Sequence, residues 1–288
     1  MSAPAPSEPD IVLALELAVE RDELLLHYQP KIDLRTGELA GVEALMRWQS
    51  QDWGLLEPTC FIPIAERCGA IDGLTEWGLT NTLAQWVAWT DQGLKTNIAF
   101  NISALTLRDI YFPDFIHRLC QMEGVPAERL TLEVTETATQ HAVRLLDTLT
   151  RFRIKGMSLA LDDFGTGYSS LLQLRQLPYT ELKIDRCFVA EIAREEEALL
   201  IVRSVIDLAH GLGLVATAEG VEEEEVLRSL VALGCDQAQG FLMAEPMKAG
   251  ELVPWVMTSL DRWRAFCAAG SAESGSRRQA PPGARRAA

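Results

Sequence analysis

No Cys-x-x-Cys pair occurs in this sequence, and its six cysteines (60, 68, 120, 187, 235 and 267) sit singly in apolar or helix-patterned stretches. That spacing offers neither a zinc site nor a disulfide frame, so reduced core thiols are the expectation. Histidine is scarce as well. The four present (His27, His117, His141 and His210) fall on a strand start or on helix faces, and none is expected to be a metal ligand. Basic residues are outnumbered, 26 against 41 acidic, for a net charge of −15 and a pI near 4.8. A general nucleic-acid binder would carry a basic surface, so DNA is not an expected partner. A small anion held by a few local cations or by metal ions remains compatible with that balance. No apolar run reaches membrane-spanning length, and the opening MSAPAPSEPD lacks both the basic and the apolar part of a leader. A cytoplasmic protein without membrane insertion is the expectation.

What is present is a globular composition, 48% hydrophobic and 23% charged over 288 residues. Residues 1–10 are rich in Pro, Ser and Ala and read as a disordered lead-in; residues 269–288 read as a disordered basic tail. Between them, 11–268 reads as one domain. Strands are predicted at 24–32, 40–48, 95–103, 130–136, 157–163, 181–185, 213–219 and 237–242, with amphipathic helices at 72–90, 140–152, 195–212 and 222–234. From residue 95 strand and helix alternate, which implies parallel strands and right-handed crossovers. The first two strands are joined only by LRTGEL (34–39), so they read as an antiparallel hairpin. The fold class expected is α/β, a modified (β/α)8 TIM-like barrel with one antiparallel strand.

The ends of those segments carry polar groups. Glu43 interrupts an apolar strand, Asn101 follows IAF, and Glu133 and Glu136 sit in LEVTE. Asp162 and Asp163 end SLALDD, Lys183 and Asp185 lie in LKID, Glu219 closes VATAE with Glu222 three further on, and Gln239 precedes GF. Parallel barrel strands bring such ends to one mouth. A single strand-end carboxylate is more often a helix cap, but a ring of them needs compensating cations. Lys183 is one; metal would supply the rest. An oxygen-only donor set favours Mg²⁺ or Mn²⁺ over zinc, and two such ions form a clamp suited to phosphodiester hydrolysis.

Taken together, YQP (28–30), EALMRW (43–48), NIS (101–103), LEVTET (132–137), LALDDFGTGYSSL (159–171), LKID (182–185), AEGVE (218–222) and QGF (239–241) resemble the EAL-domain cyclic di-GMP phosphodiesterases over roughly residues 10–260. The resemblance implies that Glu43, Asn101, Glu133 and Asp162 hold a first metal, with Asp162 bridging to a second that Asp163 and Glu219 complete. A water activated by the two ions would attack one phosphorus in line, leaving linear 5′-pGpG. Lys183 would orient the water or stabilise the transition state, and Glu219 could act as base beside Glu43. Gln29, Leu45, Arg47, Asp185, Glu222 and Gln239 would contact or support the substrate; Glu136 would anchor the DDFGTGYSS loop. For Arg47 the alternative is a surface ion pair, and for Glu136 a cap on the helix near Thr139.

Two departures from the family pattern stand out, Ala244-Glu245 before Pro246 and the acidic run Glu222 to Glu225. They put the guanine-side contacts in doubt more than the chemistry. The run itself reads as the acidic first turn of a helix. A different class of function, a catalytically silent cyclic di-GMP receptor or interaction scaffold, is the competing reading; a third is a barrel of the enolase type. Ca²⁺ is expected to inhibit, since a larger and less demanding ion misplaces the water. Dimerisation through LLQLRQL (171–177) is expected from the family's habit, with packing on the barrel as its alternative. The short lead-in leaves no room for a sensor, so a regulatory protein partner is a further expectation.

Overall fold

In the computed structural model, residues 8–136, 142–165 and 171–278 are described. The strands are β1 (Leu24–Asp33), β2 (Leu39–Ser50), β3 (Gly54–Leu56), β4 (Ile98–Asn101), β5 (Leu130–Thr135), β6 (Ser158–Phe164), β7 (Glu181–Ile184), β8 (Val215–Ala218), β9 (Gln237–Ala238) and β10 (Met247–Lys248). The helices are α1 (Glu8–Ala18), α2 (Pro58–Cys68), α3 (Ile71–Asp91), α4 (Phe112–Glu123), α5 (Ala142–Ile154), α6 (Leu171–Gln176), α7 (Arg186–Val189), α8 (Glu196–Gly211), α9 (Glu224–Leu233) and α10 (Ala249–Arg278).

The strands close into a barrel in the order β1-β2-β4-β5-β6-β7-β8-β9, with β9 returning to β1. Among the described residues β1 runs against its barrel neighbours, and the short flanking β3 against β2; β2 and β4 through β9 pair in parallel. The modified (β/α)8 barrel with one antiparallel strand is therefore the observed fold. Its strands are apolar on both faces because helices cover the outside and side chains fill the inside. LTLEVT in β5 is buried at every position but the last. The expected hairpin is present: the Asp33 carboxylate accepts from the Arg35 and Thr36 N–H groups, and Gly37 takes the positive φ that the turn needs.

Three expectations change. Strands at 95–103, 213–219 and 237–242 are shorter than the pattern suggested, because the chain bends away as soon as its polar ends reach the mouth. Cys60, Cys68 and Cys187 are exposed, so only Cys120, Cys235 and Cys267 are core thiols; none of the six is in a disulfide. Helical backbone starts at Glu8 and runs on to Arg278, reaching into both segments expected to be disordered. Residues 1–7 and 279–288 lie outside the described residues. In α6, Leu174 and Leu177 at its end are buried in the chain's own core, which is the ordinary-packing alternative for those two leucines. No described helix is long and apolar enough to cross a membrane.

Candidate active site

A cavity of about 290 Å³ opens at the C-terminal end of the parallel strands, where β/α barrels place their chemistry. It is lined by Gln29, Glu43, Leu45, Asp162, Asp163, Lys183, Asp185, Glu219, Glu222 and Gln239 among the expected residues. Sequence reasoning did not single out the four further lining residues, Gly220, Gly240, Arg186 and the exposed Phe241. An aromatic left in solvent beside a polar cleft is the signal that could have found Phe241. His27, His117 and His210 are not among the lining residues, and His141 lies outside the described ones.

Lys183 stands at the centre. Only 1% exposed, its Nζ lies 2.5 Å from Glu133 Oε2, 2.6 Å from Glu219 Oε1, 3.1 Å from Asp162 Oδ1 and 3.5 Å from Glu43 Oε2. Four strands, β2, β5, β6 and β7, and the residue just past β8 thus send side chains to one point. Burial disfavours the charged lysine, but the Asp162, Glu133, Glu219 and Glu43 carboxylates outweigh it and raise its pKa well above the usual range. The carboxylates outnumber the lysine, and the excess shows in their own titration. Burial, then the Glu43 charge, pushes Glu133 up to about 8 against the pull of both nearby lysines. Burial raises Glu219 well above the ordinary value, and Asp162, Glu43 and Glu133 add to it. Burial acts on Glu43 in the same direction, but Lys183 and hydrogen bonds from Gln239 and Asn101 hold it below the usual range.

The paired aspartates at the end of β6 answer a question of strand geometry. Alternation should turn Asp163 away from the face that Asp162 uses. Instead Asp163 adopts φ 56°, a left-handed backbone rare outside glycine, and the β6–β7 register shifts between Leu161 and Phe164. The bulge re-aims Asp163 into the cavity, where burial and then the charges of Asp162 and Asp185 push its pKa up to about 6. Asp162, Asp163 and Glu219 each offer an oxygen within 4.8 Å of the others. Those three fit a hard divalent cation, since all donors are oxygen and the local charge is in excess.

The turn after this bulge is held from β5. Glu136, 2% exposed, accepts the Gly165 N–H at Oε2 over 2.7 Å. Gly165 itself has φ 102°, and a Cβ there would come within 2.7 Å of the Phe188 ring, so only glycine fits. Residues 166–170 of the GTGYSS stretch, and the Thr139 cap proposed as the alternative for Glu136, lie outside the described residues.

Two glutamines form a chain toward Glu43. Gln239 Nε2 donates to Glu43 Oε2 at 2.7 Å and to Gln29 Oε1 at 2.8 Å, while Gln29 Nε2 donates to the Ala244 carbonyl at 2.9 Å. Asn101 Nδ2 donates to Glu43 Oε1 at 2.7 Å, so both oxygens of Glu43 are held. The unusual Ala244 takes part through its backbone, which no side-chain change there removes. Asp185 caps α7 by accepting the Cys187 N–H at 2.9 Å. Glu222 is exposed at the rim, and the acidic run continues into the first turn of α9. Arg47 does not line the cavity. Buried at 6% exposure, its guanidinium pairs with Glu57 at 3.1 Å and donates to the Met46 carbonyl at 2.9 Å. The ion pair that was its alternative is present, although Arg47 itself is not on the surface.

The family profile described as EAL domain matches residues 13–246. Over 255 residues the chain is 41% identical to a bifunctional diguanylate cyclase/cyclic di-GMP phosphodiesterase, MucR, of Pseudomonas aeruginosa, covering 88% of this chain and 37% of that protein. It is 37% identical over 248 residues to a cyclic di-GMP phosphodiesterase of the same organism, covering 85% and 42%. The chain thus spans about two fifths of the length of these curated relatives. A solved PaMucR phosphodiesterase complex with c-di-GMP superposes with TM-score 0.80 at 40% identity, covering 84% of this chain and 99% of that one. The Xanthomonas citri FimX EAL domain in complex with c-di-GMP gives TM-score 0.76 at 26% identity, covering 84% and 94%.

Proposed function

The chain belongs to the EAL domain family, and from that premise we propose that it hydrolyses cyclic di-GMP to linear 5′-pGpG with the help of two divalent cations, Mg²⁺ or Mn²⁺. The observation that carries the reading is the convergence of Glu43, Glu133, Asp162 and Glu219 on Lys183 at the barrel mouth. Four carboxylates around one amine, three of them buried and Glu219 half-buried, leave negative charge that a folded interior does not tolerate without further cations. Glu43, Asn101, Glu133 and Asp162 would hold one ion, and Asp162, Asp163 and Glu219 the other. Bound there, the cations supply Lewis acidity toward the phosphoryl oxygens and acidify an adjacent water.

The chain's own residues do the rest. Glu219, just past the end of β8 and lining the cavity, would take the proton from the attacking water. Lys183 Nζ would orient that water and meet the charge gathering on phosphorus-bound oxygen. Gln239 and Asn101 fix Glu43 at both oxygens. Leu45 and Phe241 supply apolar wall, with Asp185 and Glu222 at the rim. Arg47 reaches a phosphate by exchanging Glu57, which is itself solvent-exposed and easily released.

Incubating the protein with cyclic di-GMP and Mn²⁺ or Mg²⁺, followed by chromatography for pGpG, tests the reading. Product formation that EDTA abolishes is the expected result. Tight binding with no product overturns hydrolysis and leaves a receptor.

A further inference from the structure

Beneath the mouth the barrel holds a second polar layer that this reaction does not use. Gln29 and Lys31 lie two residues apart on the reversed strand β1, so they point inward at successive depths. Lys31 is 4% exposed. Its Nζ reaches Glu133 Oε1 on β5 at 3.3 Å and Glu181 Oε1 on β7 at 3.2 Å. Thr217 Oγ1 on β8 donates to the same Glu181 oxygen at 2.7 Å. Around the barrel, β5 and β7 are each three strands from β1, in opposite directions. Lys31 therefore crosses the interior. The gap it crosses is lined by the small residues Gly41 and Ala99.

A lysine this deep is costly unless fully paired, and here both carboxylates and the threonine satisfy one another. The consequence falls on Glu133. Its Oε1 is taken from below by Lys31 and its Oε2 from above by Lys183, so the carboxylate plane is fixed at both ends. We propose that Lys31 is a positioning residue for the cation centre: it holds Glu133 Oε1 from beneath and so presents Oε2 to the mouth. Glu181 and Thr217 keep the lysine on that line. Lys31 touches neither substrate nor cation; it acts through Glu133, as partners behind a ligand generally do. The inference rests on the metal reading of the mouth given above.

Charge counting alone makes the opposite forecast. Deleting a buried cation beneath a cation site should tighten metal binding, whereas deleting a positioning group should weaken it. Calorimetric titration of Mn²⁺ into the full chain, without substrate, separates the two. Lys31→Met is expected to raise the Mn²⁺ Kd about tenfold or more with the far-UV circular dichroism retained. Thr217→Val, which changes no charge and almost no volume, is expected to raise it about threefold, and it decides the matter if Lys31→Met fails to fold. A Kd unchanged or lowered in the folded variants, with only the melting temperature reduced, overturns the proposal. Wild-type protein that takes up no Mn²⁺ overturns the metal reading itself, and this proposal with it.

Discussion

Two layers of one barrel each bury a lysine among carboxylates, and they differ in how the charge is matched. In the inner layer Lys31 meets Glu133 and Glu181, and Thr217 completes Glu181. In the mouth layer Lys183 alone meets Glu43, Glu133, Asp162 and Glu219, with Asp163 close by. Burial acts on both alike, yet beyond Glu43, which Lys183 and its hydrogen bonds hold down, the outcome differs. Glu181 stays below the usual carboxylate range, its burial outweighed by Lys31 and the Thr217 hydrogen bond, while Glu133 and Glu219 rise above it. The matched layer is framework. The unmatched layer is conflict held in place by the framework, and such local conflict is where function is expected.

The comparison breaks most visibly at Glu43. Glu43→Ala removes a carboxylate from the mouth, and pGpG formation should fall about a thousandfold, beyond the roughly 10–100-fold that groups behind a ligand are worth. An unchanged rate would mean that Glu43 holds no ion.

Next in size is the pH response of the metal-free protein. Glu133 rises from 4.5 to about 8 in the folded chain, so between those values the native state keeps a proton that the unfolded state has released. Stability is then highest near the lower value and falls as pH rises across the window. Denaturant titrations in EDTA should show a loss on the order of 2–4 kcal/mol between about pH 5 and pH 8. Saturating Mn²⁺ replaces the proton and should flatten or reverse the trend. A metal-free protein that gains stability over that range would contradict the mouth's charge excess.

Much of this contrast was legible in the chain, for definite reasons. Strand-end polar residues stand out because they interrupt apolar runs, so Glu43, Asn101, Glu133, Asp162, Lys183 and Glu219 were found and are brought together. The inner layer followed the same rule two residues earlier. Lys31 precedes a strand's end, Glu181 opens β7 and Thr217 sits inside β8, each at i±2 from a mouth residue. At strand starts, polar residues usually face solvent, and nothing local reveals that β1 is reversed deeply enough to thread a lysine across the axis. Asp163 was legible only in part. Its adjacency to Asp162 raised the question, but its positive φ accompanies a bulge whose next turn is held by a long-range hydrogen bond, from Gly165 N–H to Glu136. Arg47 was read from its motif, and the motif says nothing of Glu57, which the turn between β3 and α2 brings against it.

That pair sharpens the comparison at the rim, where charge is exchangeable. Arg47→Ala should raise KM for cyclic di-GMP about tenfold with kcat little changed, the value of one charge-assisted contact. Glu57→Gln should move KM the other way by a smaller factor, since the guanidinium no longer has to leave a carboxylate. A kcat loss in Arg47→Ala with KM unchanged would place Arg47 in the frame instead.

The smallest expected effect lies at Glu136, which belongs to neither layer but ties the bulge to β5. Glu136→Gln keeps the size and an acceptor for the Gly165 N–H, and loses only the charge that strengthens the bond. Asp163 should then be held less firmly in its φ 56° conformation. The Mn²⁺ concentration for half-maximal turnover should rise about threefold while the rate at saturating Mn²⁺ stays near wild type. The split decides between two roles. A lower maximal rate with the metal requirement unchanged would mean that Glu136 serves the reaction by a route other than Asp163, and the bulge would then be framework, like the layer beneath it.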